Sequence, residues 1–391
     1  MTDVLFITNS YRSFIKNQIE LISEQFNHVS VLVRYNPIAE ISRFFPSEEL
    51  KNHRKRFQID LTNTPSNVSV IVLPLLYLPT DLGYKKLGNK HFKTVQKSIQ
   101  KNKIEFDLIH AHFAWSSGYA AAKLKERYNV PLIVTTHGYD IYDLPFRSGE
   151  WKANIEYVLN MADHVITVSN NNHECIKKIN VKTPVSVIAN GFMRNSFYPR
   201  SSKECRKQLN LPLNKRIILS VGNLVEVKGQ RYLIEAMQEI VKKRKGIICI
   251  IVGGGGLKNR LLRQVKTAGL QNNINLVGMK EHTEVPTWIN ACDLLVLPSL
   301  SEGNPTVMFE CLGCGKPCIG TKVGGIPEVI TSEDYGILVE PANSEALAES
   351  LFLALEKNFD KDKILKYGKQ FAWEEIVKQI VSIYNYVLRT K

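Results

Sequence analysis

Short apolar runs alternate along the chain with stretches of helical spacing. In the first half the runs are residues 4–8, 29–33, 107–113, 131–136, 162–169 and 185–188. Each has the length of a strand and ends in a turn or capping signal. Phe14, Ile15, Ile19, Leu21, Ile22 and Phe26 recur at helical spacing after the first run. Mainly apolar runs suit strands buried on both faces of a parallel sheet, and strand–helix–strand repeats predict a doubly wound α/β domain. The pattern pauses over residues 192–214, where Pro199 and Pro212 suggest a linker with a short helix. It restarts at 216–224 and returns at 247–252, 275–278, 294–298 and 336–339. Helices are expected at 343–357 and 373–388, the second with Ile376, Ile380, Ile383 and Tyr384 on one stripe. The expected organisation is a first Rossmann-like domain over 1–192, a second over 193–371, and a terminal helix over 372–391.

The stretch 294–310 carries the most chemistry. Leu294-Leu295-Val296-Leu297-Pro298 reads as a buried strand. Gly303 and Asn304 then lead into Pro305, which suits a first helical position with Asn304 as N-cap. Glu302 falls on the strand-to-helix loop and Glu310 inside the helix. Free amides at a helix start favour an anion. Two carboxylates flanking an anion site suit a ligand with phosphate in the middle and hydroxyl-rich groups at both ends, as in a nucleotide sugar. The alternative is that both are solvated charges near a helix.

The surroundings add a family. The glutamate pair after Leu297-Pro298-Ser299, then Gly315-Lys316-Pro317 and Val323-Gly324-Gly325-Ile326-Pro327-Glu328, resembles the group 1 family of retaining glycosyltransferases. The resemblance covers nearly the whole chain. It implies the GT-B fold: two Rossmann-like domains facing a cleft, with the terminal helix crossing back to the first. It implies transfer of a hexose-type sugar from a nucleotide sugar to a glycan or polyprenyl-lipid-linked acceptor, without metal or cofactor. Glu310 would take the ribose hydroxyls and Glu302 the sugar hydroxyls. Lys228 with amides from Gly303 and Asn304 to Thr306 and Val307 would hold the diphosphate, beside Gly222 and Asn223. Met279 and Lys280 would lie by the base. His137, at the His137-Gly138 step ending a strand, would reach the sugar.

Two departures from the family pattern stand out. Relatives carry Gly-Gly in the first turn, where this chain has Ser13-Phe14-Ile15-Lys16. Relatives often carry Arg where this chain has Asn223, so one cation is missing beside Lys228. In the first domain, Arg12 and Lys16 are either anion contacts or a solvated helix start. His112 is expected to line the cleft and His110 to be packed. Asp140 either touches the acceptor or caps the next segment. A non-catalytic sugar-nucleotide-binding subunit, or a GT-B epimerase or phosphorylase, is the alternative function. The glycine run 253–256 lacks the spacing and position of a dinucleotide-binding fingerprint.

Composition narrows the setting. Hydrophobic residues make up 44% of 391, an ordinary globular balance. A formal net charge of +14 favours anionic partners, and no nucleic-acid module is recognisable. No secretory signal or run of about 18 apolar residues is evident, so the expected location is cytoplasmic, free or peripheral on the inner face of the membrane. Residues 84–103 hold seven Lys and no acid, which fits either a core helix with a solvated face or a surface against anionic headgroups. Residues 35–83 read as irregular, with Phe44, Phe45 and the basic knot 51–56 as acceptor-shaping features. Cys311, Cys314 and Cys318 lack an evident fourth ligand and read as buried thiols rather than a zinc site.

Overall fold

A computed structural model describes residues 2–43 and 54–390. Phe44, Phe45 and residues 51–53 of the basic knot lie outside them. The chain divides into two compact units, Met1–Ala189 with Trp373–Lys391, and Asn190–Ala372.

Among the described residues the first unit holds seven strands: β1 (Asp3–Thr8), β2 (His28–Tyr35), β3 (Val68–Pro74), β4 (Leu108–His112), β5 (Leu132–Thr136), β6 (His164–Thr167) and β7 (Val185–Val187). All pair in parallel, in the order β3-β2-β1-β4-β5-β6-β7. β1, β4 and β5 are apolar throughout most of their length because helices cover both faces. Leu5, Ile7, Ile109, Ala111, Leu132 and Val134 are buried with Trp115, Trp151 and Val158 from that helical cover. β3 corrects the irregular reading of residues 35–83. Five prolines obscure it in the sequence, and it sits at the sheet edge, where Pro74 as last residue costs little.

The terminal helix Trp373–Arg389 packs on the helix Ser13–Ser23 of the same unit. Trp373, Ile376, Ile380 and Tyr384 are buried, and the Tyr384 ring lies 5.6 Å from Phe26.

The second unit holds β8 (Arg216–Val221), β9 (Ile247–Val252), β10 (Ile274–Gly278), β11 (Leu294–Leu297), β12 (Cys318–Thr321) and β13 (Gly336–Val339). These also pair in parallel, in the order β10-β9-β8-β11-β12-β13. Each sheet therefore has a point where the winding reverses, between β1 and β4 and between β8 and β11. Crevices at such points, outside the carboxyl ends of the strands, are where doubly wound sheets bind ligands.

Candidate functional site

At the reversal point of the second sheet, β11 runs into Pro298 and the chain loops out through Glu302. Two glycine contacts fix that loop. Gly229 has φ +63°, and a Cβ there would strike the Pro298 carbonyl oxygen. Gly324 has φ +53°, and a Cβ there would strike the Glu302 carbonyl oxygen. Only glycine meets both demands at once. Backbone bonds close the arrangement, Leu300 N to Val227 O at 2.7 Å and Gly325 N to Gly303 O at 3.0 Å.

The loop delivers Glu302 to Lys228, with Nζ donating to Oε1 at 2.5 Å. Ser299 Oγ donates to the same oxygen at 2.8 Å, and Thr321 Oγ1 donates to the Ser299 carbonyl at 2.6 Å. Glu302 is a nearly buried carboxylate, its side chain 7% exposed, and so requires this partnership. Lys228 remains half-buried, with part of its surface open to a ligand. Its side chain passes the Cα of Gly222, with its Cδ 4.0 Å from where a Cβ would stand there. Asn223 is exposed, and its carbonyl accepts from Gln230 Nε2 at 3.0 Å.

The following helix is Thr306–Gly313, and its N-cap is Pro305. This corrects the expected cap. Asn304 Oδ1 instead accepts from the Asn190 backbone at 2.8 Å, tying this loop to the start of the unit. The helix start is left without a side-chain cap. Gly303, Asn304, Thr306 and Val307 are all partly exposed around it.

Glu310 lies one turn further on, its side chain also 7% exposed. Its Oε1 meets His282 Nε2 at 2.7 Å, and the His282 ring sits 5.3 Å from Phe197. His282 is the site residue that sequence reasoning missed. It stands alone on the loop after β10, 28 residues from its partner, with no local motif to mark it. Its neighbour Lys280 lies over the Trp288 ring at 5.6 Å, and Met279 is exposed.

In the first unit, β4 and β5 end side by side and carry three stacked imidazoles. His110 is packed: Nε2 lies 2.7 Å from Thr135 Oγ1 and Nδ1 meets the Tyr384 hydroxyl. His112 is fully buried rather than lining an open surface, because the rings of Phe6, His110 and His137 stack over it. Its Nδ1 lies 3.0 Å from His137 Nε2. The His137 ring stacks on His112 at 5.2 Å and packs against the tilted Phe113 ring at 4.5 Å. Burial holds the His110 and His137 pKa values down at about 3 and that of His112 well below its ordinary value, so all three are neutral at neutral pH.

Asp140 does not cap the segment that follows it but holds backbone that precedes it. It is 2% exposed, and its carboxylate accepts from the backbones of Ala114 at 2.8 Å, Gly138 at 3.0 Å and His137 at 3.1 Å. Burial raises its pKa, against those three amides, which lower it. Lys16 is corrected as well, and Arg12 gains a backbone partner. The Arg12 guanidinium donates to the Arg56 carbonyl at 2.7 Å. Lys16 is buried, bonds the Thr62 carbonyl and lies 3.3 Å from Asp60. Both cations tie the start of the helix Ser13–Ser23 to residues 56–62; burial leaves Lys16 neither a solvated helix start nor an open anion contact, while Arg12 stays partly exposed. Ser13 takes φ +49°, the left-handed backbone that a glycine would adopt more easily.

Among the described residues no cluster of three His, Cys, Asp or Glu is arranged to hold a metal ion. Cys311, Cys314 and Cys318 are buried free thiols, and burial pushes the pKa values of Cys311 and Cys314 up.

Comparison with known proteins gives a consistent result. The family described as "Glycosyl transferases group 1" matches residues 201–371, and "Glycosyltransferase Family 4" matches 53–193. The chain is 32% identical over 279 residues to the Bacillus subtilis glycosyltransferase TuaC, named for teichuronic acid biosynthesis, covering 70% of this chain and 68% of TuaC. Among solved structures it is similar to sucrose-phosphate synthase from Thermosynechococcus elongatus, with TM-score 0.81, 22% identity and full coverage of both chains. It is also similar to Anabaena HepE solved with UDP-glucose, with TM-score 0.73, 21% identity, and 99% and 100% of the two chains covered. These likenesses give the fold as GT-B.

Proposed function

Because the chain belongs to the group 1 family of glycosyltransferases, we propose that it is a retaining hexosyltransferase that uses a nucleotide-sugar donor and builds a surface glycan on a glycan or polyprenyl-lipid-linked acceptor. One observation carries this reading. Two nearly buried carboxylates, Glu302 and Glu310, flank an uncapped helix start, and each is held by its own nitrogen base. In this reading Glu310 accepts hydrogen bonds from the ribose hydroxyls. Glu302 orients the sugar ring. Lys228 and the amides of Thr306 and Val307 stabilise the charge that grows on the leaving diphosphate. His137, in the first unit, works on the sugar.

The reaction balances without a metal ion. The acceptor hydroxyl attacks the anomeric carbon on the face the diphosphate leaves, a new C–O bond forms, and the sugar–phosphate bond breaks. The acceptor proton passes to the leaving phosphate oxygen. The UDP-glucose bound to HepE and the polymer in TuaC's name make a UDP-hexose and a surface polysaccharide the first choices. No helix among the described residues is long and apolar enough to cross a membrane. The helix Asp81–Asn102 exposes Lys86, Lys90, Lys93, Lys97 and Lys101, and Leu76, Leu78 and Leu82 are exposed at and just before its start. That surface suits peripheral contact with anionic lipid at the inner face of the membrane.

The test is a panel of nucleotide sugars, with nucleoside diphosphate release followed with and without a membrane extract. Release from one donor, raised by the extract and at least 100-fold lower in Glu310→Ala, is expected. Donor binding with no release under any acceptor condition would instead identify a binding subunit. Inverted anomeric configuration in the product would overturn the retaining mechanism.

A further inference from the structure

Among the described residues three Lys or Arg side chains are buried: Lys16 at 7% exposed, Arg34 at 6% and Arg206 at 7%. Two of them have a counter-charge. Lys16 lies 3.3 Å from Asp60. Arg206 Nη2 donates to Asp293 at 2.9 Å, and its other nitrogens donate to backbone carbonyls. Arg34 has no ion pair among the described residues. Its one hydrogen bond is long, Nη1 to the Tyr77 hydroxyl at 3.4 Å, and its guanidinium sits 5.7 Å from the centre of the Tyr77 ring. Nε is sealed without a partner, whereas Nη2, also without one, keeps accessible surface. Taking a cation out of water with no counter-charge is costly. The open nitrogen lets an anion reach the fork and supply that charge. The position suits a ligand. Arg34 is the penultimate residue of β2, at its carboxyl end, and β2 neighbours β1 at the reversal point of the sheet. The wall beside it is built. Asn36 Nδ2 donates to the Tyr77 carbonyl at 2.8 Å, and Leu75 N donates to the Tyr35 carbonyl at 2.9 Å. Tyr77 is thereby held against Arg34, with its ring 6.3 Å from that of Tyr84, and both tyrosines are partly exposed.

We propose that Arg34 is an anion-binding residue of the first unit, and that the acceptor of this enzyme carries a phosphate or carboxylate that the Arg34 guanidinium takes beside Tyr77. This rests on the transferase reading above, which requires an acceptor. Every residue the subsite uses lies in the first unit. A planar guanidinium presents paired N–H donors that match two oxygens of either group, which a compact ammonium does not. A neutral hydroxyl would leave the buried charge uncompensated.

The test uses the full chain with ¹⁵N-labelled arginine and saturating UDP, so that the diphosphate site proposed above is already filled. A sealed Nε–H exchanges slowly and gives its own signal in a correlation spectrum. The Arg34 signal is the one lost in Arg34→Lys and displaced in Tyr77→Phe. Inorganic phosphate and sodium acetate are titrated separately. One of them is expected to move that signal saturably, with a Kd on the order of millimolar, and the one that does names the acceptor's group. Nucleoside diphosphate release is then followed at saturating donor against increasing membrane extract. The same anion should raise the extract needed for half-maximal release and leave the maximum unchanged. Arg34→Gln should raise it roughly ten- to hundredfold, the worth of a hydrogen bond to a charged group, and Arg34→Lys by less. A signal that neither anion moves overturns the proposal. Inhibition by the anion that added extract does not relieve overturns the assignment to the acceptor. Absence of release under every acceptor condition overturns instead the transferase reading, and the titration then still decides whether Arg34 binds an anion.

Discussion

His282 changes what Glu310 can do. Buried alone, that carboxylate would carry a heavy desolvation cost; with Nε2 at 2.7 Å on one oxygen, the other is left for the ribose hydroxyls that the proposed function assigns to it. His282→Phe is therefore expected to weaken nucleoside diphosphate binding roughly tenfold, the scale of a hydrogen bond to a charged group. His282→Gln should recover part of the loss, and titration calorimetry with UDP checks both. Equal binding in all three proteins would remove His282 from the site. The contrast with Glu302 shows what the sequence could reveal. Glu302, Lys228 and Glu310 were legible because they sit in motifs of the family pattern. His282 was not, because its only signal is a long-range contact. Lys16 looked available because its partners at 60–62 lie in a stretch with no readable period. The missing Gly-Gly was visible, but not that Ser13 adopts a left-handed backbone in its place.

Strand ends carry the next level of consequence. Four histidines of the first unit are buried neutral: burial holds His91, His110 and His137 at about 3, and His112 well below its ordinary value. The folded values lie below the unfolded value near 6.5. The unfolded chain therefore binds protons that the folded chain refuses. Stability is whole above about pH 6.5 and falls as pH drops below it, by about 1.4 kcal/mol per pH unit for each such imidazole. The expected result is loss of near-ultraviolet dichroism between about pH 6 and pH 4, before most carboxylates titrate. An unchanged signal at pH 4 would contradict it. The parallel strands were readable from their mainly apolar runs, because burial on both faces favours that composition. β3 escaped because an edge strand tolerates the prolines that read as a loop. The helix start at Thr306, one residue after the expected Pro305, turned on Asn304 bonding Asn190 across 114 residues rather than capping its own helix.

At the scale of the whole molecule, the division into units does not follow chain order. The first unit is closed by Trp373–Lys391, which lies beyond all of the second. Removing residues 373–391 takes away the buried Trp373, Ile376, Ile380 and Tyr384, each worth about 1.5–3 kcal/mol, and strips His110 of its hydroxyl partner. The sum rivals the whole stability of an ordinary domain. Limited proteolysis of the shortened chain is expected to digest the first unit and leave a fragment near residues 190–372. Survival of the first unit would show that the helix is dispensable.

The same discontinuity orders events on the ribosome. Residues 190–372 are all available to fold while the unit begun before them still lacks a wall. The earlier-made half must wait, its helix Ser13–Ser23 uncovered, until the last segment leaves the exit tunnel. Biosynthesis thus completes the half that carries Glu302 and Glu310 before the half that carries His137.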